Sequence, residues 1–83
     1  MDFMLEEELV DLMTFCLQNP ESIETEQMKK RISEIGKELY SDGGLDALEN
    51  FSFVLKNRIY EEIGKDPSQF RPLWNGLTDE WKY

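Results

Sequence analysis

Three breaks decide what this chain can fold into: Asn19-Pro20, Asp42-Gly43-Gly44, and the run from Gly64 to Pro67. Between them apolar residues recur at helical spacing, and no stretch alternates with period two for long enough to suggest a strand. Each break uses residues that end or restart helices. Proline cannot continue a helix but suits the first position of a new one, and glycine accepts the left-handed conformation at helix ends. The pattern predicts an all-α fold: a small single-domain bundle of three main helices over residues 1–83, with a short C-terminal helical turn or lid.

The first helix spans residues 3–18. Leu5, Leu9, Leu12 and Cys16 form its stripe, widened by Met13 and Leu17, with Glu7, Glu8 and Asp11 on the opposite side. Asn19 caps and Pro20 opens a second helix that repeats the spacing at Met28, Ile32, Ile35 and Leu39 and runs to about Ser41. Glu26, Lys30, Glu34 and Glu38 make its solvated face, and Lys29-Lys30-Arg31 belongs to that mixed surface. A third helix over residues 45–63 carries Leu48, Phe51, Leu55 and Ile59, flanked by Val54 and Ile63. Asp66 then caps a fourth helix opened by Pro67 and limited to a turn or two by Pro72; Thr78-Asp79-Glu80 caps a last turn carrying Trp81. Gly36 lies inside the second helix, where glycine costs about 1 kcal/mol against alanine. Close approach of the third helix is the expected reason.

With the helices placed, "EIGKELYSDGG" and "LWNGLTDEW" resemble a pattern in small bacterial helical proteins of uncharacterised function. The matching positions are Ile35, Gly36, Leu39, Tyr40, Gly43, Gly44, Trp74, Gly76, Leu77 and Trp81, over about the last fifty residues. The resemblance implies a helical fold and no activity. Gly36, Tyr40, Gly43 and Ala47 are also loosely similar to the helix hairpin of a tetratricopeptide repeat. With no second copy in a chain of this length, that likeness implies hairpin geometry alone.

The chain has 18 acidic and 9 basic residues, no histidine and one cysteine. A net charge of −9 repels phosphate backbones and anionic membranes, so no direct nucleic-acid or membrane partner is expected. One cysteine excludes an internal disulfide and, without histidine, a zinc site of cysteines and histidines. Cys16 lies on an apolar stripe and reads as a small buried hydrophobe. The acidic start lacks the basic residues of a signal peptide and no apolar run spans a bilayer, so a cytoplasmic location is expected. Asp42, Asp46 and Glu49 invite comparison with a calcium loop but lack its alternating ligands. Gly43-Gly44 lacks the lysine and hydroxyl residue of a phosphate loop. No catalytic residue, cofactor site or metal site is assigned, and an enzyme is not expected.

The expected function is a non-catalytic protein-interaction module, an adaptor, regulator or inhibitor of another protein with a basic surface. Homo-oligomerisation is compatible with that reading. The alternative is imitation of nucleic acid by an inhibitor of a DNA- or RNA-binding enzyme, such as a phage-encoded anti-defence protein. The expected partner contact is Glu7, Glu8 and Asp11, the most one-signed surface of the chain. Phe53 and Tyr60, off the third helix's main stripe, form a second aromatic surface that Phe70, Trp74 and Trp81 of the tail are expected to cover as a lid, the alternative being that the tail's aromatic residues are a free docking surface.

Overall fold

The computed structural model describes residues 3–82 as an all-α bundle. Helix α1 spans Phe3–Gln18 and α2 spans Thr25–Ile63. A 3₁₀ segment, Pro67–Trp74, follows. A straight helix of 39 residues would reach about 58 Å at 1.5 Å per residue. The molecule's longest dimension is 30 Å, so α2 is folded back on itself. The fold occurs at Gly44, whose φ of 69° and ψ of −158° lie in a region open essentially to glycine alone. The second and third expected helices are therefore the two arms of a hairpin, residues 25–43 and 45–63, with one non-helical residue between them. Helix continues beyond Ser41 because Gly43 remains helical and Gly44 alone makes the bend.

α1 and the 3₁₀ segment both pack against this hairpin. Leu9, Val10, Met13, Cys16 and Leu17 of α1 are buried with Ile32, Ile35 and Leu39 of the first arm and Leu48, Phe51, Leu55 and Ile59 of the second. The α1 stripe is rotated from the expected one: Val10 is buried, whereas Leu5 and Leu12 are half-buried at its edge. The expected cap at Asn19 is also corrected. Its backbone N–H and side-chain amide both turn back to the Phe15 carbonyl, ending α1, and α2 begins only at Thr25. Thr25 is itself buried and donates its hydroxyl to the Ser22 carbonyl at 2.8 Å.

The later boundaries follow the local chemistry. Gly64 (φ 68°) ends the second arm and donates to the Tyr60 carbonyl at 2.8 Å. Asp66 accepts from the Ser68 N–H at 2.9 Å, and Pro67 takes the first helical position. Pro72 lies inside the segment it was expected to stop; the segment is 3₁₀ and runs two residues past it, to Trp74.

The C-terminal residues complete the core. Phe70, Trp74 and Trp81 are each 2% exposed. The two indoles meet at 5.6 Å between centroids, tilted by 48°. Trp74 Nε1 donates to the Ile32 carbonyl at 2.9 Å, and Trp81 Nε1 donates to the Arg71 carbonyl at 2.8 Å. Both indoles thus bury their rings without stranding their N–H groups. Gly36 is the seat of this lid: a Cβ there would lie 2.3 Å from Trp74 Cδ1 and Nε1. Its close neighbour is Trp74 and not, as expected from sequence, the third helix. Among the described residues, Thr14 Oγ1 is the shielded side-chain oxygen or nitrogen that has no hydrogen-bond partner.

Candidate interaction groove

Two arginines organise the acids at the start of α1. Arg31, on the first arm, grips Glu8 with both faces of its fork: Nε to Oε2 at 2.7 Å and Nη2 to Oε1 at 3.1 Å. Arg58, on the second arm, donates from Nη1 to Glu6 and Glu7, each at 2.7 Å. One helical turn of α1 is thereby tied to both arms, which fixes where α1 begins on the hairpin. Hydrogen bonding from Arg31 holds the Glu8 carboxyl below its usual value, despite an opposing effect of burial. The same contacts push both guanidinium groups further up: Glu8 acts first on Arg31, and Glu7 then Glu6 on Arg58. The one-signed face of α1 is thus partly answered within the fold. Glu7 and Glu8 are held by arginines distant in sequence, and exposed Asp11 lies one turn further along α1.

Past the first turn of α1, an open groove of about 740 Å³ runs toward the Gly44 bend. Its apolar lining is Leu5 of α1, Leu39 of the first arm, and Ala47 and Phe51 of the second. Leu39 and Phe51 are core residues, so the groove is floored by side chains already fixed by packing. Its rim is acidic. Glu38 and Asp42 stand one turn apart on the first arm, and exposed Asp46 stands on the second. Phe3, 68% exposed, lies two residues before Leu5. The volume falls in the range of sites that take a small ligand or a few side chains. Among the described residues, no group of three or more histidine, cysteine, aspartate or glutamate side chains is placed to hold a metal ion.

The aromatic residues divide differently from the expectation. Trp74 and Trp81 are buried, but Phe53 and Tyr60 remain 67% and 62% exposed. The tryptophans cover Gly36 and the core, because the 3₁₀ segment reaches the first arm; Ser33 Oγ donates to the Leu73 carbonyl there at 2.9 Å. Only the edge of the Phe53 face approaches the tail, in a shallow cleft shared with Lys56 and Trp81. Cys16 is buried and desolvation pushes its thiol upward, with a smaller opposing effect of Lys29. That environment suppresses thiolate and suits a packing role.

The groove was not found from sequence. Its signal is present as acids spaced by four residues at Glu34, Glu38 and Asp42, followed by Asp46 across the glycines. That these acids overlook an apolar opening depends on the bend at Gly44 and on where α1 stops. No helix among the described residues is long and apolar enough to cross a membrane. No protein-family model, curated protein or solved structure matches the chain.

Proposed function

We propose that this chain is a small non-catalytic module that binds a basic surface of another protein. The observation that carries the reading is the groove at the bend of α2: a preformed apolar floor beneath an acidic rim. Interfaces of this kind use an apolar centre for affinity and a charged rim for steering and selectivity. Glu6, Glu7 and Glu8 contribute less to such a surface, because their charge is answered within the fold. The same pairing weakens the case for nucleic-acid imitation, which depends on carboxylates left open to a basic groove. A cytoplasmic setting and a reduced Cys16 belong to the proposal. Ala47 is half-buried in the groove and sits on a helix, so Ala47→Arg adds bulk and the wrong charge with little cost to helix formation.

The test is capture of partners by the intact immobilised chain from extracts of its source cell, beside the Ala47→Arg variant. A retained protein that is released by rising salt and missed by Ala47→Arg supports the reading. A chain that retains nothing, or retains the same proteins with Ala47→Arg, counts against it.

A further inference from the structure

The hairpin already shows what kind of element it accepts. α1 is a helix laid against both arms, with an apolar face on the core and acidic flanks matched to Arg31 and Arg58. Beyond Leu5 the cleft continues; Arg31, already paired with Glu8, lies at one end of it, and the rest of its charged rim is Glu38, Asp42 and Asp46. We propose that this continuation takes a short basic helical segment of another protein. One apolar side chain enters over Leu39 and Phe51, and lysine or arginine side chains meet the three carboxylates. The inference rests on the protein-binding reading and specifies the chemistry of the partner.

Three considerations select that occupant. Charge complementarity excludes an acidic segment, since like charges facing across a rim oppose association. The available length limits the segment: Arg31, held by Glu8, closes one end, and the remaining first-arm lining, residues 38–43, spans about 9 Å of helix, fewer than two turns at 3.6 residues per turn. That is room for one apolar anchor and its immediate neighbours. The structure has no strand among the described residues, so an added strand has no edge to join, whereas a cleft between helices suits a helix.

The experiment uses the intact, isotopically labelled chain and a short synthetic helical peptide carrying one leucine between lysines. Two control peptides replace the lysines by glutamate or the leucine by alanine. Backbone resonances should move at Leu5 and across residues 38–51, and either control peptide should bind at least about tenfold more weakly. Glu38→Gln, Asp42→Asn and Asp46→Asn together should weaken the lysine peptide about tenfold while leaving the thermal midpoint in place. Added salt should weaken it as well. Equal binding of the glutamate peptide, or shifts centred on Phe53 and Tyr60, would overturn the proposal. The two readings also fail separately. If the lysine peptide leaves residues 38–51 unmoved while Ala47→Arg still abolishes capture of a protein partner, the partner class is wrong and the interaction reading stands.

Discussion

The α2 hairpin meets the rest of the chain in two opposite ways. At Gly36 it is sealed: an indole lies where a side chain would be, its N–H is bonded to Ile32, and Phe70 and Trp81 complete the cover. At Leu39, Ala47 and Phe51 it is open, because α1 ends its contact at Leu5 and nothing among the described residues fills the space. Both places present apolar surface from the same helix pair. What separates them is charge and reach. The sealed place is served by a tail rich in aromatic residues, and the open place is fringed by carboxylates that make no close ion pair among the described residues, Glu38 feeling Arg31 only at longer range. The first looks after the fold, and the second is the surface proposed for another molecule.

The largest expected effect comes from breaking the sealed side. Deleting residues 70–83 removes three buried aromatic side chains from a chain near the size where a single core is marginal. Truncation of one such residue typically costs about 3–5 kcal/mol, against a total stability of about 5–15. The shortened chain should lose cooperative thermal unfolding by circular dichroism. An unchanged midpoint would mean that the tail is dispensable and the contrast false.

Gly36→Ala sharpens the same side. At an exposed helical site this change gains about 1 kcal/mol. Here the new methyl meets Trp74 at 2.3 Å, and overpacking of a filled core usually costs about 1–3 kcal/mol. The expected outcome is net destabilisation with altered tryptophan fluorescence. Stabilisation would show that Trp74 does not sit on Gly36 in solution.

These two places also show how far the sequence could be read. The helical period at Ile32, Ile35, Leu39, Leu48, Phe51, Leu55 and Ile59 predicts their burial, because amphipathic spacing is a local property. So do the Gly64 stop and the Asp66-Pro67 start. Asn19 was misread because its short amide serves either the helix behind it or the one ahead, and only Phe15 decides. The pairs Glu8–Arg31 and Glu6–Arg58 join residues 23 and 52 positions apart, so no local pattern announces them. Phe53 and Tyr60 were given a cover that goes to Gly36, because spacing on one helix does not say where a distant tail will land. The groove is harder still, being a space between elements and not a property of any one.

A smaller effect should follow from the strap between the two regions. Glu8→Gln removes a charge-assisted bidentate contact at a half-exposed site, where such pairs contribute about 0–1 kcal/mol. The sign with pH is fixed by the Glu8 shift. Its folded value is lowered, so its contribution is present above the unfolded glutamate value of about 4.3 and fades as pH falls through the folded value. Wild type and Glu8→Gln should therefore differ at neutral pH and converge in acid. A difference that persists at low pH would assign the effect to packing.

The smallest expected effect is on the open side, and there the smallness is informative. Glu38, Asp42 and Asp46 are exposed, and Glu38 and Asp42 are like charges one turn apart on the same arm. Such a pair destabilises a helix by about 0.2–0.5 kcal/mol at low salt. Neutralising all three as Gln, Asn and Asn should leave stability within about 0.5 kcal/mol, because relief of the Glu38/Asp42 repulsion is offset by loss of the attraction of Glu38 to Arg31 and of Asp46 to the start of its own arm, and all of these shrink as salt is added. Lysines at these positions would add strain from a new sign beside Arg31, so the amides are the cleaner replacement. Thermal unfolding at low and high ionic strength measures the outcome. A loss above about 1 kcal/mol would mean that the carboxylates serve the bend itself, and the division between a sealed side for folding and an open side for binding would collapse. Retained stability with a tenfold loss of peptide affinity is the result that a binding rim requires, since groups that contribute nothing to the fold and much to association are held for something outside it.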